Sequence, residues 1–337
     1  MSGDIEATLQ ELNRVMDEHR RVLGGAVARP DPAVTPPVRG DDPTPSGSDP
    51  RQAALDRLMA NIETRIGLRA VDTVGAKPAR SLTSVATVEV IQWVDRMREL
   101  PTEHPDWLAL VESLTVHESY LFRDPQQLEV AAQWLGQSVQ AARDAGGARI
   151  LRLWSAGCAA GEEAYTLALL AFAALQDAGL AVDSARDGFT ARTGWGVDVL
   201  GTDLSRAVLR TAETGIYTTG RLSAFRDLPQ AYNRFFETGP ARGTRVARAD
   251  LRRAVRFRQA NLVAPPPEQG FDLVACRNVL IYMDQPARLQ VLRHLTSALK
   301  PGGILMLGPT DVLAEPHGLA AFGGETVGVF RKAGGNG

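Results

Sequence analysis

The stretch that decides the fold is ILRLWSAGCAAGEEAYTLALLAF, Ile150 to Phe172. Ile150 to Trp154 is a short apolar run rich in strand formers, Ser155 to Gly161 is built almost wholly of small residues, and Glu162 and Glu163 then open a long apolar stretch with helical character. A strand, a glycine-bearing loop and a helix in that order form the first turn of an open parallel sheet, where ligands bind outside the carboxyl ends of the strands. Gly157 and Gly161 let the backbone turn sharply or approach a ligand, and the pattern leaves both uses open. Their spacing is not that of the G-x-G-x-x-G fingerprint.

The two carboxylates narrow the choice of ligand. Acidic residues in a first helical turn are favoured by the helix dipole, so their presence alone has a structural explanation. A phosphate bound at the same helix end would be repelled by them. A ligand carrying an ammonium and a sulfonium, such as S-adenosylmethionine (SAM), suits the loop better. The run GWGVDVLGTDLS, Gly194 to Ser205, supplies a second strand ending at Asp203, with Ser205 placed to cap the next helix. A carboxylate at that strand tip can accept both ribose hydroxyls of an adenosine.

From Ile150 onward, strand-like runs at Ile150–Trp154, Gly196–Thr202, Phe271–Ala275 and Gly303–Leu307 alternate with helix-like stretches. This predicts an α/β domain with a mostly parallel sheet covered by helices on both faces. Thr244 to Arg258 reads as two short strands around ADLR, a small β-subdomain over about 237–258 inserted into the sheet's connections. Upstream, RQAALDRLMANIETRIGL and TSVATVEVIQWVDRMREL repeat apolar residues near 3.6 spacing, which predicts a helical N-terminal domain over 51–125, ahead of the sheet domain at 126–337. The seven prolines and four glycines of Gly24 to Pro50 read as a disordered linker (24–50). Ile5, Leu9, Leu12, Met16, His19 and Leu23 draw one stripe on an amphipathic helix over 1–23.

With 337 residues and a formal net charge of -2, the chain has no global electrostatic reason to bind nucleic acid or an anionic membrane. Its acidic, polar start lacks the features of a signal peptide, and its longest apolar run, Leu167 to Leu175, is far short of a bilayer span, so a cytoplasmic protein without membrane insertion is expected. Cys158, Cys276 and five scattered histidines show no metal-ligand spacing; no metal is expected, and both cysteines read as small packing residues. The run Ala241 to Ala260 carries seven arginines against one aspartate, and Arg65, Arg69, Arg96 and Arg98 add positive charge upstream. Its single aromatic, Phe257, argues against nucleic acid.

Six segments in order resemble the CheR-type chemotaxis receptor (protein-glutamate) methyltransferases: LTVHESYLFRD from Leu114, WSAGCAAGEEAY from Trp154, TDLSRAVLRTAETGIY from Thr202, QANL from Gln259, FDLVACRNVLIYM from Phe271 and LKPGGILMLGPTDVL from Leu299. The resemblance implies a Rossmann-like, SAM-dependent methyltransferase sheet domain that esterifies glutamate side chains on the cytoplasmic helices of chemoreceptors or a receptor-like signalling protein. By the same resemblance, Glu163 holds the methionine amino group, Asp203 the ribose, and Asn261 with Leu262 the adenine, while Arg277 and Asn278 line the cofactor. His117, Ser119 and Arg123 lie beside the cofactor, Arg123 also faces the acceptor, and Tyr282 sits near the transferring methyl, so Arg123 and Tyr282 are the candidate catalytic residues.

Departures from the family pattern are His117 for asparagine, Ser119 for threonine, Leu121 for phenylalanine, and GPTDVL for a GHSE-like segment. The interval from Phe236 to Val255 is short beside members with a receptor-tail docking loop, which implies weak tethering. Residues 1–50 are an addition expected to attach a signalling partner. Two other readings stay open: a SAM-dependent methyltransferase with another acceptor, and an inactive SAM-binding signalling module.

Overall fold

The computed structural model describes residues 49–68, 86–102, 104–114, 118–184, 187–309, 311, 318–324, 326 and 328–334. The expected helix at 1–23 and nearly all of the linker at 24–50 lie outside the described residues. The chain divides into two compact units, Met1–Arg65 with Arg69–Thr115, and Ile66–Leu68 with Val116–Gly337.

The smaller unit is helical. Helix α1 (Pro50–Ile66) starts with proline in its first turn, where a missing N–H costs nothing, and Asp49 caps it by accepting the Arg51 N–H at 3.0 Å. Helix α2 (Thr87–Glu99) buries Val90, Trp93, Val94 and Met97, a spacing of three, one and three that makes one stripe. Pro101 follows its end, and α3 (Pro105–Leu114) begins with Asp106 in its first turn. Arg65 donates to the Leu100 carbonyl at 2.7 Å and lies 3.8 Å over the Trp107 ring; Arg96 pairs with Asp106 at 2.6 Å. These two arginines, expected to present free positive charge, are engaged within their own unit.

The larger unit begins with the segment 118–124 and helix α4 (Pro125–Asp144). The expected boundary at 125/126 therefore falls inside it: Leu121 and Phe122 are buried in its core, and the Phe122 N–H donates to Thr166 Oγ1 at 3.1 Å. Strand β1 (Ile150–Ala156) then leads into helix α5 (Glu162–Asp177). A hairpin of β2 (Ala181–Ser184) and β3 (Gly188–Ala191) follows, held by Phe189 stacked on Phe172 with ring centroids 3.6 Å apart. Next come β4 (Gly196–Asp203), α6 (Arg206–Thr214), β5 (Ile216–Thr218), β6 (Phe236–Thr238), β7 (Thr244–Ala247), α7 (Ala249–Arg253) and β8 (Val255–Gln259). The chain ends with β9 (Phe271–Cys276), α8 (Gln285–Ala298), β10 (Leu299–Leu307), β11 (Leu319–Ala321) and β12 (Val329–Lys332).

Seven of these strands form one sheet in the order β11-β12-β10-β9-β1-β4-β8. The five from β10 to β8 run parallel, and β12 and β11 close the edge antiparallel. Because side chains alternate along a strand, Leu151 and Leu153 of β1 face one core and Trp154 and Ala156 the other. The first core is roofed by α4 and α5 through Leu128, Leu135, Leu167 and Ala171, the second by α8 through Val291, Leu292 and Leu295. The chain leaves β1 for β4 and β8, then returns to β9 on the other side of β1, so the topological switch point lies between β1 and β9.

The region around ADLR differs from expectation. Val255–Gln259 belongs to the large sheet, paired with β4, because Val255 is a buried core residue; Ala249–Arg253 is a short helix. The separate small sheet is β5-β7-β6, whose residues start at Ile216 and end at Ala247. Among the described residues no helix is long and apolar enough to cross a membrane.

One buried charge ties the central strands together. Asp272 of β9, its side chain fully buried, accepts from Arg149 Nη2 at 2.5 Å, the Arg152 backbone N–H at 2.8 Å and Lys300 Nζ at 2.7 Å. Asp272→Ala strips these cations of their partner and is expected to lower unfolding free energy by about 3 kcal/mol or more. Urea denaturation monitored by circular dichroism measures this, and a loss below about 1 kcal/mol contradicts it.

Candidate active site

The loop after β1 is held in one shape by its neighbours. Gly157 and Gly161 have φ of 84° and 94°, and a Cβ on either would collide, at 2.5 Å from Val279 Cγ2 and at 2.8 Å from Ala212 Cβ respectively. The glycines therefore serve both turning and close packing. The Gly157 and Cys158 N–H groups donate to the Thr202 carbonyl at 2.8 and 2.9 Å, and Tyr217 Oη donates to the Ala160 carbonyl at 2.7 Å. The Ala159 N–H donates to Asp203 Oδ2 at 2.9 Å, while Asp203 Oδ1 accepts the Ser205 N–H at 2.9 Å. Each oxygen thus carries one fixed hydrogen bond and keeps a further acceptor site.

Asn261 follows β8 directly, beside Asp203: the ladder pairs Asp203 with Gln259, and the Ala260 N–H donates to the Asp203 carbonyl at 3.0 Å. Asn261 Oδ1 accepts the Val263 N–H at 3.2 Å, and half-buried Leu262 packs on the α8-side core with its carbonyl 3.1 Å from His294 Nδ1.

The two adjacent glutamates part company. Glu163 Oε1 accepts from Ser155 Oγ at 2.7 Å and its Oε2 lies 3.3 Å from Arg277 Nη1. Glu162 is buried, and its Oε2 has no hydrogen-bond partner. Burial pushes its carboxyl above the usual range, opposed by a hydrogen bond with Ser119 and the charge of Arg226.

Arg277, just past β9, has a side chain only 2% exposed. Its Nε donates to Gln127 Oε1 at 2.9 Å, and its Nη2 to the Arg123 carbonyl at 2.5 Å and Asp124 Oδ2 at 2.8 Å. Asn278 has φ 60°, and its Oδ1 is buried without a partner. Arg123 itself donates to the Glu118 carbonyl at 3.0 Å and lies 5.7 Å from the Tyr120 ring centre, over which Arg226 stacks at 3.6 Å. Tyr282 ends a 3₁₀ turn, Leu280–Tyr282. Burial raises its phenol above the usual range; the Arg123 charge opposes this and those of Glu118 and Asp311 add to it. His117 lies outside the described residues.

Four non-glycine residues have positive φ among the described residues: Phe122, Asp124, Ala159 and Asn278. All four border this site, and such strain collects where geometry is functional. Sequence reading did not foresee these backbone shapes, although it named Asn278 as lining the cofactor; it missed Gln127, Asp124 and Ser155, and it read Glu162 only as the pair of Glu163. Of these Ser155 carried a signal, a hydroxyl directly after the apolar run of β1. Asp311, at the departure from the GHSE-like pattern, is buried and accepts the Gly308 N–H at 2.9 Å. Cys158 and Cys276 are buried free thiols, raised well above the ordinary range first by burial and then by nearby carboxylates, so they stay neutral. Among the described residues no three His, Cys, Asp or Glu side chains group as a metal site requires.

These residues fit SAM. Two carboxylates, Glu163 in the first turn of α5 and Asp203 at the end of β4, have the chemistry to accept an ammonium and a diol, and Asn278 Oδ1 is a buried acceptor without a partner. The comparisons agree. The family described as CheR methyltransferase, SAM binding domain, matches residues 117–327. The probable biofilm formation methyltransferase WspC of Pseudomonas aeruginosa is 32% identical over 285 residues, covering 82% of this chain and 61% of WspC. Chemotaxis protein methyltransferase 1 of the same species is 34% identical over 207 residues, 60% of this chain and 69% of that one. The chemotaxis protein methyltransferase of Listeria innocua is 32% identical over 174 residues, 51% and 58% of the two chains. With a match over most of its length and a site whose charge suits a sulfonium cofactor, the chain belongs to the CheR methyltransferase family and carries its SAM-binding domain.

Proposed function

We propose that the protein transfers the methyl group of SAM to glutamate carboxylates on the cytoplasmic helices of a chemoreceptor or receptor-like signalling protein. The observation that carries the reading is the pair of fixed carboxylates, Glu163 after β1 and Asp203 at the tip of β4; in this reading Arg123 and the half-buried Tyr282 complete the site. In this reading Glu163 holds the cofactor's amino group, Asp203 its ribose, and Asn261 and Leu262 its base. Asn278 lines the cofactor, and Arg277 acts by fixing Glu163. The names of the relatives, a biofilm formation methyltransferase and chemotaxis protein methyltransferases, support a signalling acceptor.

When bound, SAM supplies an electrophilic methyl on a positively charged sulfur. An acceptor carboxylate would take that methyl as the carbon–sulfur bond breaks, which would neutralise the pair of charges with no proton moved. A glutamate has a solution pKa of about 4.3, so no general base is needed at neutral pH. The work of the chain is alignment and exclusion of water, worth roughly 7–11 kcal/mol for well-oriented reactants. Arg123 positions the incoming carboxylate; a tight grip would stabilise the ground state and slow attack. In this reading the neutral phenol of Tyr282, raised further by burial, lies beside the reacting centre.

The basic run offers less to an acceptor than its composition promised. Arg245 donates to Asn233 and Phe236, Arg248 pairs with Asp183 and Asp250, and Arg256 with Asp198 and Glu268. Arg242, Arg253 and Arg258 remain at the surface.

Incubation with tritiated SAM and a receptor cytoplasmic fragment, followed by alkaline release of methanol, tests the reading. Base-labile counts are expected; methylation of another acceptor without them, or cofactor binding with no transfer, favours the two alternatives. Arg123→Ala is expected to lower turnover by about tenfold or more, and near-normal methylation by that variant refutes its role. The pH profile of turnover is expected to be flat from about pH 6 to 9, because the acceptor is already ionised there. A sharp rise through neutral pH would instead reveal an essential base.

A further inference from the structure

We propose that Gln127 is a positioning residue of the cofactor site, fixing the Arg277 guanidinium and, through it, the Glu163 carboxylate. The inference rests on the reading of Glu163 as a cofactor ligand. Gln127 lies in the first turn of α4 and is 2% exposed. Its Oε1 accepts the Arg277 Nε–H at 2.9 Å, and its Nε2 donates to the carbonyl of Leu307, the last residue of β10, at 2.7 Å. Arginine only donates and a carbonyl only accepts, so the amide has one workable orientation, and rotating it breaks both bonds.

The surrounding chain makes room for this bridge. At Gly328, with φ 86°, a Cβ would lie 2.5 Å from the Leu307 oxygen and 2.6 Å from Gln127 Nε2. A larger residue there would occupy the path of the bond. A guanidinium is planar and rigid, so holding Nε on Gln127 and Nη2 on the Arg123 carbonyl and Asp124 decides where Nη1 points. It points at Glu163, over the longest of the four contacts, 3.3 Å. That contact is the first to go if the fork turns, and Glu163 is then left with Ser155 alone to orient it.

Calorimetry with S-adenosylhomocysteine on the full chain, alongside thermal melting, tests the proposal. Gln127→Leu removes both bonds and is expected to weaken binding about tenfold, raising the KM for SAM by a larger factor than it lowers kcat. Gln127→Glu keeps an acceptor for Arg277 but cannot donate to Leu307; its affinity is expected within about threefold of wild type although its melting temperature falls. Unchanged affinity in Gln127→Leu, or equal weakening in both variants, overturns the proposal. If the leucine variant does not fold, the glutamate variant decides alone, since a tenfold loss in it overturns the proposal and retained affinity supports it. Absence of heat with the wild-type chain would instead sink the cofactor reading itself.

Discussion

A guanidinium buried to 2% exposure has to be met by partners from every side, and the partners of Arg277, itself just past β9, come from two separate parts of the chain: the segment 123–127 and the start of α5. A buried charge without its counter-ions costs several kcal/mol, so none of these segments can settle independently of the others. The site forms when the fold forms. Arg277 is shared by two carboxylates, Glu163 and Asp124, and Asp203 stands separately at the tip of β4, so these groups together carry an excess of negative charge. That excess is the electrostatic counterpart of a sulfonium ligand.

The pair Glu162 and Glu163 shows how one sequence feature divides into two physical roles. Both sit in the first turn of α5, where the helix dipole favours them. Successive helix positions diverge by about 100°, so one turns to the strand side and the other into the protein toward Ser119. The first keeps the bonds of an ionised acceptor. The second is deprived of water and of a partner for one oxygen, and its affinity for a proton rises accordingly.

The legible parts of the sequence were those governed by local rules. The run Phe271–Ala275, apolar except for Asp272, announced a buried strand, and Val90, Trp93, Val94 and Met97 announced a helix face. Asp203 was readable because it terminates an apolar run before a capping serine. The rest depended on partners far apart in the chain. Val255–Gln259 looks like half of a hairpin because its arginines alternate with apolar residues; only its pairing with β4 places it in the large sheet. The arginines around it seemed a cationic surface because their carboxylate partners, Asp183, Asp198 and Glu268, are scattered elsewhere. Gln127 carried no signal at all, since a glutamine near a helix start is ordinary until Arg277 arrives from 150 residues away.

The residues in left-handed conformations around the site have a consequence for how such a chain can change. Phe122, Asp124, Ala159 and Asn278 each hold a backbone shape that their side chains resist, and each adjoins the loops that carry Glu163, Asp203 or Arg277. Glycine at any of the four relieves that resistance in the native state but widens the range of the unhindered loop. Variation selected for hardiness at high temperature and variation selected for speed therefore meet at the same four codons with opposite preferences.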